Sequence, residues 1–260
     1  MESLIDTSLS RFSPISLDRL NQKAAMLERL DNKYIVQAAR LVAPLEEFAA
    51  HFDILEIDGR RSFTYATRYY DDWDLRSYFD HHQGRRQRSK IRIREYVDAG
   101  FSYLEVKLKD KRDITIKKRL KLQNPKMDLG DRELKFIDEC HQEIYATPFD
   151  KKLKPVIDMQ YRRITLVARE GGERMTLDTC IEFRASNGGT AVDPGAFILE
   201  TKSSNGNGLA DRVLRSHHLH PTKRCSKYCI GMAATGQVQK RNRFLPGLRK
   251  LALVGALRAV

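Results

Sequence analysis

The chain has 260 residues and 41% hydrophobic content, which is enough for one large domain or two small ones with their own core. Its 47 Lys and Arg against 34 Asp and Glu give a net charge of +13, which favours a polyanionic partner: nucleic acid, phosphorylated molecules, inorganic phosphate chains or an anionic membrane surface. The four cysteines are too few for a disulfide scaffold, and no apolar run reaches the roughly 18 to 20 residues of a membrane-spanning helix.

The first predicted elements are helices. The N-terminus lacks the pattern of a secretory signal, so none is expected. Residues 16–30 carry leucines at helical spacing after a serine suited to capping, which predicts a helix. A second helix is predicted over about 41–51, where Pro44 is tolerable because it falls in the first turn. Together these form a predicted helical lead-in over about 16–51.

From about 52 to 204 the sequence is typical of antiparallel hairpins, with turn signals at 58–59, 171–172 and 187–189. One helix, over 126–144, interrupts the strands. The segment after about 221 is helical again. Its last part, 248–260, is expected to be an amphipathic helix, with a membrane-surface contact as the alternative. Without repeats or a low-complexity linker, a single domain over 1–260 is the simplest interpretation.

The predicted strands collect their charged residues on one face. Because alternate side chains of a strand point to opposite sides, Arg92 and Arg94 share one face and Ile91 and Ile93 share the other. Lys118 is the one charge on the apolar side of its strand. The charged faces of the remaining strands carry Glu105, Lys107 and Lys109; Lys117, Arg119 and Lys121; Tyr161, Arg163 and Thr165; Arg174, Thr176 and Asp178; and Glu200 and Lys202.

An ordinary solvent-facing sheet surface would explain any one of these strands. Such a surface mixes Ser, Thr, Asn, Gln and both charge signs, however, whereas these strands present mainly Arg and Lys. If the charged faces met inside a wide barrel, the cations would repel one another unless an anion neutralised them. Arginine forks and lysine ammonium groups bind phosphoryl oxygens, and carboxylates hold Mg²⁺ or Mn²⁺. The pattern therefore favours a tunnel for a phosphate chain.

Nine short motifs, in this order, resemble the catalytic domain of vacuolar transporter chaperone (VTC) proteins: DNKYIV, RSYFD, IRIREY, LEVKLK, KKR, YRR, ERMTLDT, FILETK and RCSKYCIGM. These proteins are polyphosphate polymerases of the triphosphate tunnel metalloenzyme superfamily, and the resemblance covers about 30–235. It implies an α+β fold, an eight-stranded antiparallel tunnel barrel with flanking N- and C-terminal helices. It also implies transfer of the γ-phosphate of ATP onto a growing polyphosphate chain, with Mn²⁺ or Mg²⁺ as cofactor.

The resemblance also implies which residues act. Glu200 matches the metal-binding glutamate of the family, whereas Glu105 and Asp178 are left open between metal binding and salt bridging. Arg224 stands where lysine is more usual. The RSYFD motif is interpreted as a structural strand with no chemical role. The residues expected to bind ATP or the phosphate chain are Lys33, Arg92, Arg94, Lys107, Lys117, Arg119, Arg163, Arg174, Lys202, Arg224 and Lys227.

Alternatives remain at this point. A tunnel-fold triphosphatase usually opens with an ExExK motif, but the sequence around Lys33 reads RLDNKY. A polyphosphate-binding subunit without catalysis fits the same residues. A nucleic-acid-binding protein is disfavoured, because the 8% aromatic residues are dispersed rather than gathered into stacking platforms. The expected partners are therefore ATP and polyphosphate, with a membrane protein outside this chain as a further partner. The expected location is cytoplasmic, at the inner face of a membrane.

Two smaller clusters are given non-catalytic interpretations. His217, His218 and His220 match no standard metal-site spacing and are expected in a surface loop. Cys225 and Cys229 are one helical turn apart, and a structural zinc would need further ligands from those histidines; reduced thiols are the favoured interpretation. The basic run at 81–90 is expected to form a solvated hairpin loop that gathers anionic substrate near the tunnel mouth.

Overall fold

Antiparallel strands form most of the protein. The computed structural model describes residues 2–23, 30–111, 114–123, 128–186, 188–193, 195–251 and 253–254. In these residues twelve strands join one sheet. They are β1 (Ser13–Ile15), β2 (Leu30–Gln37), β3 (Phe52–Leu55), β4 (Phe63–Asp71), β5 (Arg88–Tyr96), β6 (Phe101–Lys109), β7 (Thr115–Lys121), β8 (Lys154–Ala168), β9 (Arg174–Ala185), β10 (Gly188–Val192), β11 (Ala196–Ser203) and β12 (Leu253–Val254).

Helices flank this sheet at both ends of the chain and between strands. None of those within the described residues is long and apolar enough to span a bilayer. The α-helices are α1 (Glu2–Ser10), α2 (Leu17–Lys23), α3 (Val42–His51), α4 (Arg76–Gln83), α5 (Asp131–Tyr145), α6 (Leu209–Ser216), α7 (Lys227–Ala234) and α8 (Leu245–Leu251). Three 3-10 turns are Ala38–Arg40, Val97–Ala99 and Asn242–Phe244.

The main path of the sheet runs β2-β11-β9-β8-β4-β5-β6-β7, with every neighbouring pair antiparallel. The four other strands extend this path: β3 and β1 beside β8, and β10 and β12 beside β9. The α+β class and the antiparallel sheet are thus confirmed. The expected count of eight strands describes the main path only, because the short strands lengthen the sheet to twelve.

The sheet curls around a bore. Five strands separate β2 from β6 along the main path, so six steps of about 4.8 Å would place them about 29 Å apart in a flat sheet. Nevertheless, burial and then the positive charge of Lys33 on β2 lower the pKa of Lys107 on β6 to about 8. Asp31 on β2 is likewise within the electrostatic reach of Lys107, so β2 and β6 face each other across the bore.

Helices cover the outer face of the sheet. α5 packs Ile137 and Cys140 against the apolar outer side of β5 and β6, where Ile91 and Val106 are buried. Lys118 of β7 lies on this side too, as its position in the sequence predicted, and its Nζ is 2.6 Å from Oε1 of Glu143 on α5. Farther around the sheet, α1, α3 and α6 pack on β2, β9 and β11. The apolar residues of the strands therefore face the helices, and the charged ones face the bore.

One end of the bore is closed by the C-terminal helices. Along the inner face of β8 the side chains change from Arg163 to Tyr161 and then to apolar residues, and the same change occurs on β2 and β11. α7 packs on this apolar end, where Gly231 lies so close to Ile157 and Phe183 that a Cβ would be 2.6 Å from each. The inner face is therefore polar at one end and a closed apolar core at the other.

Several predicted elements are corrected. The helix predicted over 16–30 is α2 only as far as Lys23; residues 24–29 lie outside the described part of the chain, and Leu30 begins β2. The helical lead-in over 16–51 therefore contains a tunnel strand. RSYFD belongs to α4 and not to a strand, because Asp71 accepts hydrogen bonds from the backbone N–H groups of Ser77 and Tyr78 and so caps that helix.

The remaining differences concern segment ends. The predicted loop over 81–90 divides between the end of α4 and the start of β5. The helix expected over 126–144 begins only at Asp131, and the C-terminal helix ends at Leu251 before β12; residues 124–127, 252 and 255–260 lie outside the described part. α3 begins at Val42 with Pro44 in its first turn, as predicted. The turns at 58–59 and 171–172 are also confirmed, with left-handed backbone at Gly59 and Gly171.

Candidate anion-binding tunnel

Glu105 is the centre of the largest cluster of charges in the bore. Its side chain is 1% exposed and is contacted by Arg92 (Nη2 to Oε2, 2.5 Å) and by Lys117 (Nζ to Oε1, 2.5 Å). Arg119 adds a contact of 3.0 Å and Arg94 one of 3.9 Å. Burial alone would raise the pKa of Glu105, but the neighbouring arginines and Lys117 hold it well below its usual range. Four basic side chains thus surround one carboxylate, which is a formal surplus of three positive charges, although burial lowers the pKa of Lys117 to about 6.

Asp178 is the centre of a second, smaller cluster. It is fully buried and receives two parallel hydrogen bonds from the Arg163 guanidinium, Nε to Oδ1 at 2.6 Å and Nη2 to Oδ2 at 2.8 Å. Lys227, the first residue of α7, contributes a third contact at 2.5 Å. Burial would raise the pKa of Asp178, but Arg163 and Lys227 lower it. Asp178 therefore anchors the closing helix to the sheet through one lysine.

Glu200 lies in a third cluster, in which carboxylates and ammonium groups alternate. Lys33 is its direct partner across β2 and β11, with Nζ 3.1 Å from Oε2. Lys202 contacts the other oxygen of Glu200 and is also 3.2 Å from Oδ2 of Asp31. Two carboxylates thus share one ammonium group. This cluster is the most acidic part of the ring of charged side chains that lines the bore, and it lies where β2 and β11 pair.

Two lysines in the bore have no carboxylate partner in the described residues. Lys90 and Lys107 are directly opposite each other on β5 and β6. The one hydrogen bond of the Lys90 side chain in the described part of the chain is to Oγ of Ser226, at 2.9 Å. Like charges directly opposite on neighbouring strands destabilise a sheet. This pair therefore adds to the positive surplus of the Glu105 cluster.

Aromatic rings support the arginines from the closed side of the bore. The Arg163 guanidinium carbon is 5.0 Å from the centre of the Tyr65 ring and 5.3 Å from that of Tyr161, and Arg94 lies over the same two rings. Such contacts fix the guanidinium planes and stabilise the cations. The hydroxyl groups of Tyr161 and Thr176 are buried on the inner side and have no hydrogen-bond partner in the described residues. Buried polar groups without a partner are rare, so each of these two hydroxyl groups requires a structural or functional explanation.

This geometry is accompanied by a clear relationship at the level of sequence. The family profile of the VTC domain matches residues 28–235, which is most of the chain. The chain belongs to the VTC domain family. No curated protein is significantly similar to it in sequence.

The VTC domain is also similar in chain course to solved structures. The PH1819 protein from Pyrococcus horikoshii is 15% identical, with a TM-score of 0.44 and coverage of 78% of this chain and 99% of that chain. The PH1012 protein from the same organism is 12% identical, with a TM-score of 0.41 and coverage of 74% and 91%. The HpAC1 protein from Hippeastrum, described as having a dominant triphosphatase activity, is 12% identical, with a TM-score of 0.47 and coverage of 83% and 99%. At such low identities and scores the likeness says nothing about activity.

The structure of the VTC domain brings most of the residues named from the sequence to one face. Arg174 is half-buried on β9 and lies directly opposite Lys202. Arg224 is the exception. It is exposed in the turn before α7, and within the described residues its side chain contacts none of the charged residues that line the bore. Its backbone has a left-handed φ of 57°, which directs the chain into α7. Its role in binding stays a prediction.

Only part of the bore offers oxygen ligands for a divalent cation. The carboxylates of Glu105 and Asp178 are occupied by cations on both oxygens, which favours salt bridging for both. Glu200 and Asp31 are contacted by lysines and are partly exposed, at 18% and 24% of their side chains. Mg²⁺ is usually bound through one or two carboxylates together with substrate phosphates and water. Glu200 with Asp31 fits that requirement. Within the described residues, no group of three His, Cys, Asp or Glu side chains is arranged to hold a metal by itself.

Three residues of the bore were missed from the sequence. Lys90 has the same strand parity as Arg92 and Arg94, and that signal was lost because 81–90 was interpreted as a loop. Asp31 precedes Lys33 by two residues on β2, in the segment that was included in the helical lead-in and not recognised as a strand. Ser226 accepts a hydrogen bond from the Cys229 N–H group at the start of α7, as a capping serine does.

The other two clusters lie away from the charged ring. His217 follows α6, and its Nε2 is 3.1 Å from Glu47 on α3. Cys225 and Cys229 are free, buried thiols that pack with α7 in the apolar end of the bore.

Proposed function

We propose that this VTC domain is a polyphosphate polymerase that transfers the γ-phosphate of ATP onto a growing polyphosphate chain in the bore, with residues 1–260 forming one tunnel domain. The observation that supports this is the positive surplus around Glu105 together with the unpaired Lys90 and Lys107. A partly buried surplus of this kind destabilises the protein unless an anion of several charges occupies the bore. A phosphate chain carries its negative charges along a line, just as the bore carries its positive charges along its length.

The proposed reaction is an in-line phosphoryl transfer. A terminal oxygen of the chain forms a bond to the γ-phosphorus of ATP, and the bond from that phosphorus to the β-γ bridging oxygen breaks, so that ADP leaves with the electron pair. The arginines around Glu105 bind and orient the phosphoryl oxygens, since guanidinium forks match their geometry. Lys33, Lys107 and Lys202 neutralise charge, and Arg163 with Lys227 holds the phosphates at the inner end.

A divalent ion would be held by Glu200 and Asp31 and would neutralise charge on the phosphoryl group being transferred. Each ammonium group that now contacts Glu200 would then be released toward the phosphates. The residues themselves therefore exchange carboxylate partners for phosphate partners when substrate binds.

The purified protein, incubated with ATP and Mn²⁺ or Mg²⁺, tests this proposal. Long phosphate chains on a gel, together with ADP in equal amount to the phosphate incorporated, are expected. Free phosphate as the only product would support a triphosphatase instead. Absence of turnover with tight binding of polyphosphate would support a binding subunit without catalysis.

Glu200→Gln tests the metal assignment separately. Loss of a charged metal ligand is expected to reduce turnover at least 100-fold, because the substituted amide is a weaker ligand that carries no charge. The unfolding temperature should change little, since Lys33 and Lys202 remain near Asp31. Glu182→Gln, on the outside of β9 and paired with Arg184, is the matched control and should leave turnover unchanged. Full turnover in Glu200→Gln would show that the metal assignment is wrong.

A further inference from the structure

Lys90 occupies a distinctive place in the bore. It lies on β5 with its side chain on the charged inner side, at the end of the strand nearest α7. Ser226, which caps α7, receives the hydrogen bond from the Lys90 ammonium at 2.9 Å. Lys90 therefore stands where the charged ring meets the N-terminal end of the helix that closes the bore.

The surroundings of Lys90 are almost entirely cationic or neutral. Lys107 faces it from β6, Lys33 from β2, and Arg92 shares its strand. From the helices, α7 presents the Cys229 thiol and α4 presents His81. Lys90 is half-buried, and withdrawing an ammonium group even partly from water is unfavourable unless it is paired. No carboxylate forms an ion pair with Lys90 in the described part of the chain, so its charge has no counterpart within the bore.

This arrangement is costly in the empty protein. Burial, and the positive charges of Lys107, Lys33 and Arg92, lower the pKa of Lys90 to about 7, although Cys229 acts in the opposite direction. A methionine, with nearly the same shape and no charge, would fill this place without that cost. A lysine at this position is favourable only when an anion binds beside its ammonium group.

We propose that Lys90 is a further anion-binding residue of the tunnel, which donates its ammonium hydrogen bonds to the phosphate bound nearest the N-terminal end of α7. This inference rests on the proposed function, because it assigns one phosphate position of the same bore. Ser226, which accepts the hydrogen bond from Lys90, is the residue that caps this end of α7. Two observations converge on it: the unpaired ammonium group, and the unpartnered Tyr161 hydroxyl buried in the same inner end of the bore.

Lys90 gives the binding of phosphate chains a pH dependence of definite sign. In the empty bore the ammonium group loses its proton at about pH 7, and a bound polyanion raises the pKa toward the ordinary value of 10.5. The benefit of Lys90 is therefore complete below pH 7 and is lost as the pH rises from 7 toward 10. Between those limits, binding of the anion is accompanied by uptake of a proton by Lys90.

The test uses inorganic tripolyphosphate as the probe and measures its affinity for three proteins by calorimetry between pH 6 and pH 9.5. Lys90→Met is the variant, and Lys135→Met on the exposed side of α5 is the control for loss of one positive charge. Below pH 7, Lys90→Met should bind at least tenfold more weakly than the wild type, as expected for a lost charge-assisted hydrogen bond. The ratio of the two affinities should fall toward one as the pH approaches 10. Lys135→Met should bind as the wild type does.

The unfolding temperature measured without anion distinguishes a role of Lys90 in anion binding from a purely structural role. If Lys90 served only to hold α7 through Ser226, Lys90→Met would unfold at a lower temperature. The proposal predicts an unchanged or higher unfolding temperature in the empty protein and a smaller gain on adding tripolyphosphate. Lys90→Arg should restore the affinity at high pH, because its charge does not titrate.

Equal affinities of wild type and Lys90→Met at pH 6 would overturn the inference and leave the proposed function standing if ATP still yields polyphosphate. A pH-independent affinity ratio, or a lower unfolding temperature of empty Lys90→Met, would also overturn it. Failure of the wild type to bind tripolyphosphate at all would overturn both.

Discussion

Neutralising Glu105 is the perturbation whose outcome depends most on the charge arrangement of the bore. Glu105→Gln keeps the shape of the side chain but removes the carboxylate that four cations share. Glu105 is 1% exposed, so solvent does not replace the lost charge. Removing one partner of a buried ion pair costs about 3–5 kcal/mol, because the other charge is left unpaired.

Taking the lower end of that range, the free energy of unfolding in the absence of anions should fall by about 3 kcal/mol. For a chain of this size that is a drop of roughly 6–12 °C in the unfolding temperature. The bore of Glu105→Gln has one more uncompensated positive charge, so a polyanion should stabilise it more than it stabilises the wild type. With saturating tripolyphosphate, the two proteins should therefore unfold within about 1 kcal/mol of each other.

The assay is denaturant unfolding followed by circular dichroism, in chloride buffer with and without tripolyphosphate. Glu143→Gln is the matched control, because it breaks a surface pair with Lys118 in which Glu143 is 57% exposed. Its effect should be below about 1 kcal/mol in both buffers. The reasoning is refuted if Glu105→Gln is as stable as the wild type without anion, or if tripolyphosphate leaves the difference unchanged.

The remaining predictions concern acid stability and the closing helix. Folding lowers the carboxyl pKa values of Glu105 and Asp178. Each carboxylate therefore stabilises the folded protein above its ordinary pKa, 4.5 for Glu105 and 3.8 for Asp178, and this stabilisation is lost as the pH falls toward the pKa of the folded state. The free energy of unfolding should therefore decline below about pH 4.5, and it should decline less steeply in Glu105→Gln than in the wild type. Equal slopes of unfolding free energy against pH in the two proteins would contradict this. Gly231→Ala should destabilise the protein by about 1–3 kcal/mol, because its Cβ would be 2.6 Å from Ile157 and Phe183. Gly247→Ala, whose Cβ would be 3.3 Å from Ile230, should destabilise it less. Thermal unfolding of both variants measures the difference.

The alternation of charge along each strand allowed most of the site to be predicted. Arg92, Arg94, Lys117 and Arg119 share a face by parity alone, and that face is the inner one in the structure. Lys118 was recognised as the exception, and on the outer side it contacts Glu143. Parity assigns a face reliably because a shift of one residue would reverse every side chain of the strand.

Other features depend on contacts that no single segment contains. β2 was not recognised as a strand, because the leucine spacing extended the predicted helix to Leu30 and the segment up to about 51 was included in the helical lead-in. Pairing with β11 through eight residues outweighs that local pattern. α4 was missed because its cap, Asp71, lies five residues before the helix and also accepts a hydrogen bond from Tyr228 on α7. Closure of the bore by α7 follows from the fit of Gly231 between two strands, which spacing does not reveal.

The partners of each carboxylate were likewise not deducible from spacing. Glu105, Asp178 and Glu200 have similar positions on charged strand faces, yet only Glu200 lies beside a second carboxylate, Asp31, that shares a lysine with it. The difference arises because the curled sheet places β2 next to β11 and opposite β6. That arrangement, and not the identity of the residue, distinguishes the proposed metal ligand Glu200 from the salt-bridge partners Glu105 and Asp178.

A crystal structure of the protein grown with tripolyphosphate and Mn²⁺ tests the central claim, that the charged end of the bore is a phosphate-chain site, most directly. The account predicts phosphates in a line between the arginines around Glu105 and the N-terminal end of α7, with Lys90 and Lys107 in contact and the metal on Glu200. Tripolyphosphate bound only on the outer surface, with the bore still lined by ion pairs alone, would contradict it.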